Sequence, residues 1–366
     1  MIEQQSFLIL AINPGANSTK LAVYQDNKPL HVAKIEHSDD KLAAFPKTED
    51  QLPYRKSLIM EWLATEKIDL SKIAAIVARG GLLYPLEGGT YRINPLMVTH
   101  LGEAPNGSHA SNLAGLIAAE LAEEYGLPAF TVDPVAVDEL EEVARLSGLK
   151  EIPRISKSHA LNSKAVARTV AKNLGKKYQE MNMITVHLGS GITVAAHQEG
   201  RMIDVSNAVS GGPFAAERCG SLPVEELIHL CYSGEFTLAE MIRKVYRDGG
   251  LYSYLGVRDL RVVEEMVRDG NAEADIVLEA MAYQIAKEVG AMASVLAGEV
   301  ECIILTGSMC YSQEFVARIF KRIEWIGAVV TVPGEEELEA LAMGALRVLK
   351  GEEQAKEYNP KVAPGN

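Results

Sequence analysis

Small and polar residues crowd the stretch Asn13-Pro14-Gly15-Ala16-Asn17-Ser18-Thr19-Lys20. Pro beside Gly forces a turn, because Pro fixes φ and Gly admits angles that other residues resist. Short side chains leave backbone N–H groups and the Ser18 hydroxyl open to one anionic ligand, and Lys20 adds a positive charge. An ordinary hairpin connector has a similar composition. The chemistry recurs at His187-Leu188-Gly189-Ser190-Gly191. A histidine leading into such a turn is placed to donate to a phosphoryl oxygen, or else it is a satisfied core residue. Two turns of this kind facing each other across a cleft would hold a polyphosphate.

Other chemically able residues stand at the ends of apolar runs. Arg79 follows Ile73–Ala78 directly, and Gly80-Gly81 leave its side chain room to face a ligand at a strand's carboxyl end. A surface arginine is the alternative. Asp133 closes the run Ala129–Val132, where it would serve on the Mg²⁺ side of a phosphate site or simply start an Asp-Pro turn. His109 opens a helix, whose positive end disfavours its protonation, or it caps that helix. Arg218 lies in a Gly-rich, small-residue stretch from Ser206 to Leu222, too long and polar for packing alone, and is a second candidate for stabilising a transferring phosphate. Gly307-Ser308 follow the apolar run Glu301–Leu305 and precede a helix, an order that suits a nucleotide site. Glu335, Glu336 and Glu337 stand at a helix start, where acidic residues are favourable for stability alone.

The elements that must carry these residues follow from hydrophobic spacing. Strands are expected at Phe7–Ile12, Thr19–Tyr24 and Leu30–Glu36, and again at Met183–Leu188, Ile192–Ala196 and Arg201–Val205. Two strand–glycine turn–strand–turn–strand units imply a duplicated core. Helical spacing covers Leu52–Lys67, Leu113–Tyr125, Val137–Leu146, and Ile155–Leu174 with Ser156, Ser158 and His159 in its first turn. Further helices are expected at Val224–Tyr232, Leu238–Arg247, Asp259–Val267, Ala272–Ala297, Gln313–Ile323 and from Pro333 to about Lys350. The polar, Pro-rich stretch from Gly351 to Asn366 reads as frayed. Neither a GxxxxGK[ST] nor a GxGxxG motif occurs, so phosphate binding rests on the paired hairpins.

At 366 residues the chain suits two domains, and 48% apolar residues indicate a globular protein. A net charge of −13 argues against a nucleic-acid footprint and against an anionic membrane surface. The N-terminal stretch carries Glu3 and one short apolar run, so no signal peptide is expected. No apolar run approaches the roughly 20 residues of a membrane span. Four cysteines, Cys219, Cys231, Cys302 and Cys310, lack metal-site spacing and read as reduced, cytoplasmic core thiols.

Taken in order, Asn13-Pro14-Gly15…Ser18-Thr19-Lys20, Ala78-Arg79-Gly80-Gly81, His109-Ala110-Ser111-Asn112-Leu113, Asp133-Pro134, His159-Ala160-Leu161-Asn162, His187-Leu188-Gly189-Ser190-Gly191 and Glu336-Glu337-Leu338 resemble the acetate kinase family, and within it the butyrate kinases. The resemblance runs from about residue 7 to 350. It implies an α/β fold, the duplicated actin-like ATPase (ribonuclease H-like) fold shared with Hsp70 and sugar kinases. Two βββαβαβα domains would flank a nucleotide cleft, one of residues 1–150 plus 340–366 and the other of 151–339. It implies a homodimer that transfers phosphate reversibly between ATP and butyrate or another short-chain carboxylate, with Mg²⁺, giving butanoyl phosphate and ADP. By motif, Asn13 and Lys20 match phosphate-side residues, and Arg79 and Arg218 match the active-site arginines. His159 matches the histidine at the transferring group and His187 the one in the second turn. Asp133 and Glu336 match the carboxylates near the metal, and His109 a further substrate-side histidine.

Some positions depart from the pattern. Ala16 and Asn17 stand where the family usually has Ser or Thr, Ser190 where acetate enzymes have Asn, and Ser308-Met309 follow Gly307 where Gly-Gly is common. No charge is lost. The implied mechanism is in-line attack of a carboxylate oxygen on the γ-phosphorus, with cationic donors stabilising the transition state. No general base is needed, since a carboxylate of pKa about 4 is ionised at neutral pH. An acetate, propionate or branched-chain carboxylate kinase is the alternative within the family. A non-catalytic ATP-driven protein of the Hsp70 or actin type is the alternative outside it.

Overall fold

The computed structural model describes residues 6–360. Its strands are β1 (Leu8–Pro14), β2 (Ser18–Gln25), β3 (Lys28–Glu36), β4 (Ile73–Ala78), β5 (Thr90–Arg92), β6 (Ala129–Val132), β7 (Met183–Leu188), β8 (Ile192–Gln198), β9 (Arg201–Val205), β10 (Cys302–Gly307), β11 (Ala328–Pro333) and β12 (Lys356–Glu357). They form two sheets, one ordered β12-β5-β6-β4-β1-β2-β3 and the other β11-β10-β7-β8-β9. In the first, β1, β2 and β3 run antiparallel, then β4 and β6 join parallel to β1. In the second, β7, β8 and β9 run antiparallel, and β10 and β11 join parallel to β7. The two sheets therefore repeat one topology, that of the actin-like ATPase fold.

Each half follows three strands with helix, strand, helix, strand, helix. The first half uses helices Leu52–Thr65, Ala110–Tyr125 and Ala160–Asn173; the second uses Ala272–Val295, Gln313–Ile323 and Glu337–Leu349. The last helix of each half packs on the sheet formed by the other half's strands: Ala160–Asn173 on β7 and β10, Glu337–Leu349 on β1, β4 and β6. One compact unit thus holds the residues up to Val137 together with those from Glu336 onward, and the second holds Asp138–Glu335. In the first unit Leu10, Ile12, Ile76 and Ala78 pack against Leu113, Ile117 and Leu121. In the second Ile184, Val186, Ile303 and Leu305 pack against Met281, Ile285, Phe315 and Ile319. The central parallel strands are covered on both faces, which is why they read as unbroken apolar runs.

Several expectations need correction. The helix expected over Val137–Leu146 is only Glu142–Arg145. Tertiary contacts override its amphipathic spacing: Glu141 N–H donates to Ile203 O (3.0 Å), and Met202 N–H donates to the Glu139 carboxylate (2.7 Å). That carboxylate also accepts from buried Lys164 at 2.6 Å, which commits residues 138–150 to the second unit, not the first. The helix expected from Ile155 begins at Ala160, with His159 at its cap and Ser156 and Ser158 before it. A helix at Pro95–Glu103, led by Asn94 accepting from Met97 N–H, covers a stretch for which the sequence carried no expectation. The tail is not frayed through residue 358. Lys356–Glu357 pair with β5, and Tyr358 is buried with its hydroxyl 3.0 Å from His100 Nδ1. Of the cysteines, Cys302 and Cys310 are core residues, but Cys219 is half-buried and Cys231 exposed.

Candidate functional site

In the first unit, β1 and β2 hold Asn13 opposite Lys20 by register. Arg79 is the first residue past β4 and is tied to β1 by its N–H, which donates to Ile12 O at 3.0 Å. Asn112 fixes the segment that follows, accepting from Leu82 N–H (2.9 Å) and donating to Gly107 O (3.1 Å). These anchors bring Asn13, Gly15, Ser18, Lys20, Arg79 and His109 to the lining of one cavity of about 210 Å³, completed by Pro14, Ser111 and Glu337. All six of the former were singled out from the sequence.

Glu337 is the carboxylate that reaches this cavity. It forms an ion pair with Arg79 and accepts from Asn13 Nδ2 at 2.6 Å. Glu336, expected as a carboxylate near the metal, is an exposed residue at the helix cap. One residue along a helix start turns a side chain by about 100°, which a motif match does not resolve. Asp133 lies one strand over, just past the Ala78↔Thr131 pair of β4 and β6. It is buried, held at φ +38°, and accepts from Gly89 N–H at 2.7 Å. A left-handed aspartate at a strand end is a strained position of the kind that clusters at functional sites. His109 caps its helix through Nδ1, which accepts from Ser111 N–H at 3.1 Å. Desolvation, and after it the charge of Arg79, push its pKa down. The ring is therefore neutral at physiological pH with its hydrogen on Nε2.

The expectation that the first turn leaves its amides open holds only in part. Gly15 N–H closes the turn on Ser18 O at 2.7 Å. A residue that sequence reasoning overlooked also binds this turn. Arg55, 1% exposed, donates to Gly15 O (2.9 Å), Ala16 O (2.8 Å), Ser18 O (3.3 Å) and Thr19 Oγ1 (3.2 Å). In the sequence it is one charged position among several in an amphipathic helix, so nothing marks it.

In the second unit, His187 is buried and stacks on His159 with ring centroids 3.9 Å apart. His187 Nδ1 donates to Asn162 Oδ1 at 2.9 Å, and its Nε2 lies 3.1 Å from Glu335. His159 Nδ1 is 2.8 Å from Thr193 Oγ1 of β8. His187 thus has a protein partner at each ring nitrogen, Asn162 at Nδ1 and Glu335 at Nε2. Arg218 lies against Gly191, where a Cβ would strike the guanidinium. Only glycine admits that approach. Arg218 Nη1 donates to Ala208 O at 2.5 Å, while its buried Nε has no partner among the described residues. Burial pulls the Arg218 pKa down, yet a guanidinium remains charged.

Gly189, Ser190 and Ser308 line a cavity of about 750 Å³ together with residues 258–261, Glu264 and Tyr311. Gly307, at φ +98°, packs directly on the Leu188 backbone, which locks this loop to the second turn. The volume falls in the range of small-molecule sites and the rim carries Arg258, Asp259 and Arg261. Sequence reasoning missed the Asp259–Arg261 contribution, since a charged helix start reads as a cap. Burial raises the Cys302 and Cys310 thiols to about 11 and about 12, which keeps both protonated at neutral pH. No helix among the described residues is long and apolar enough to cross a membrane.

A family model described as the acetokinase family matches residues 153–345. The chain belongs to the acetokinase family. Membership makes it a carboxylate kinase, a phosphotransferase that uses ATP. Solved structures agree in fold. An acetate kinase from Porphyromonas gingivalis superposes with a TM-score of 0.72 at 20% identity, covering 91% of this chain and 98% of that one. A propionate kinase from Francisella tularensis gives 0.71 at 18% identity, covering 92% and 98%. A ROK family protein from Streptococcus pneumoniae, solved with sucrose, gives 0.51 at 14% identity, covering 94% and 100%. The acetokinase match spans the second-unit turn, Arg218 and the Gly307 loop, and ends just past Glu337.

Proposed function

We propose that the protein is a butyrate kinase, transferring phosphate reversibly between ATP and a short-chain carboxylate, with butyrate preferred over acetate, propionate or branched-chain acids. The observation that carries this reading is the first-unit cavity, in which Arg79, Asn13, Lys20 and His109 surround a space that admits a small anion. A carboxylate oxygen attacks the γ-phosphorus, the bond to the β-phosphate oxygen breaks, and ADP leaves. The acid is ionised already, so the protein supplies positioning and positive charge, not a base. Arg79 offers a forked donor to carboxylate or phosphoryl oxygens, and Arg218 offers another over the second turn. The neutral His109 adds a donor without a counter-charge. The 750 Å³ cavity beside Gly189 and Ser308 takes the nucleoside.

Mg²⁺ fits this donor set. Among the described residues no group of three or more His, Cys, Asp and Glu side chains is arranged to hold a metal, which argues against an all-protein cage. Glu337, Asn13 and Asp133 offer hard oxygen donors, and Mg²⁺ needs only one or two carboxylates when phosphates and waters fill the rest of its shell. Bound there, the ion would neutralise phosphate charge.

A homodimer in the cytoplasm completes the proposal. On the helix Val224–Tyr232, the side chains of Val224, Ile228 and Tyr232 share one face and are all exposed, at 67%, 52% and 88%. A solvent-facing apolar stripe of this kind marks an interaction surface.

ADP formation measured across acids of two to five carbons, with hydroxamate trapping of the acyl phosphate, tests the reading. The expected maximum is at butyrate. A maximum at acetate or propionate moves the assignment within the family, and ATP turnover independent of added carboxylate ends it.

A further inference from the structure

Arg55 carries a full charge into the interior of the first unit at 1% exposure, and every partner the structure gives it is a neutral oxygen. Its Nε donates to Gln51 Oε1 at 3.0 Å, Nη2 to Ala16 O, and Nη1 to Gly15 O, Ser18 O and Thr19 Oγ1. Burying a cation without a counter-charge is costly, and here hydrogen bonds to these neutral oxygens offset the cost while leaving the charge in place. The neighbouring His37 N–H takes Asn17 O at 2.8 Å. The carbonyls of Gly15, Ala16 and Ser18 therefore converge on one guanidinium. In a trans peptide the N–H points opposite to the C=O. Drawing the carbonyls of Gly15 and Ala16 inward aims the N–H groups of Ala16 and Asn17 the other way. Among the described residues, no hydrogen bond consumes either of these two.

We infer that Arg55 is a positioning residue for the phosphate tail of the nucleotide: it orients the amides of the first turn and places an uncompensated positive charge behind them. This rests on the reading of the turn as a phosphate site. It also accounts for Ala16 and Asn17, which bring no hydroxyl to the turn. Oriented amides and the buried guanidinium take over the work that side-chain donors would do. Lysine substitutes only in part, since one ammonium cannot span carbonyls from three residues.

The test compares ATP with adenosine as competing ligands of the full-length protein, using Arg55→Gln, Arg55→Lys and Gln51→Leu. Losing a charge-assisted hydrogen-bond network of this size weakens ATP binding by about tenfold or more in Arg55→Gln. Arg55→Lys falls between that and the parent, and Gln51→Leu, which frees only Nε, loses a few fold at most, about threefold. Adenosine inhibition stays unchanged in all three, because the effect follows the phosphates. Should Arg55→Gln fail to fold, the graded pair Arg55→Lys and Gln51→Leu carries the comparison. Equal losses for ATP and adenosine reduce Arg55 to a structural role and overturn the inference. So does wild-type ATP affinity in Arg55→Lys and Arg55→Gln. Lys20→Ala serves as the reference. If it weakens ATP while the Arg55 variants do not, only this inference falls. If Lys20→Ala is also without effect, the phosphate reading of the turn falls with it.

Discussion

Arg79 is proposed as a donor to the reacting groups because of where its backbone is held. Its N–H is fixed to β1 and its guanidinium meets Glu337 and the first-turn cavity. Under the proposed function, replacing it by alanine removes a donor aimed at charge that grows in the transition state. The expected result is a loss of about 10²–10³ in kcat, read by coupled assay of ADP release. Lysine at the same place restores charge but not the fork, so rescue should be partial. His37 sets a second prediction at this scale. Burial, and then the charge of Arg55, push its pKa below the ordinary value. The unfolded chain thus takes up a proton that the folded one refuses. Stability is complete above about pH 6.5 and falls as the pH drops from there toward the folded value. Urea unfolding as a function of pH should show this slope, and His37→Gln should reduce it.

At the scale of elements, the turns and the segments flanking them are set by packing partners from distant parts of the chain. The segment around Glu139 shows the energetics. Lys164 and Glu139 form an ion pair with side chains 2% and 4% exposed, with Gly200 O and Met202 N–H as further partners. Lys164→Met removes the cation beside a buried carboxylate and should cost about 3–5 kcal/mol of unfolding free energy. Adding Glu139→Leu to it should recover only part of that loss, because the buried carboxylate is gone but the Met202 N–H loses its acceptor. Denaturant unfolding of the two variants checks both. A negligible effect of the single change would mean that water reaches the pair. Helical spacing alone had suggested a helix through this segment. The competing contacts come from β9 and from the helix Ala160–Asn173, and periodicity carries no information about either.

For the whole molecule, the repeat of sheet topology was legible in the recurring strand–glycine turn–strand pattern, since alternation and small turn residues are local properties. The stripe on Val224–Tyr232 gives a prediction at this scale. Sedimentation should show a dimer, and Val224→Asp with Ile228→Asp should shift it toward monomer without unfolding the second unit. A monomer at all concentrations in the parent would remove the dimer from the proposal. Sequence alone determined the antiparallel strands and central parallel strands of both sheets, though not β12, together with the two glycine turns and the candidacy of Arg79, Arg218, His159 and His187, because each depends on residue type and near-neighbour spacing. Only the tertiary structure decided that Glu337 and not Glu336 meets Arg79, that Gly191 makes room for Arg218, and that Arg55 gathers the carbonyls of the first turn. These depend on which side chains meet across hundreds of residues, and such meetings are set by packing in three dimensions, which linear spacing does not encode.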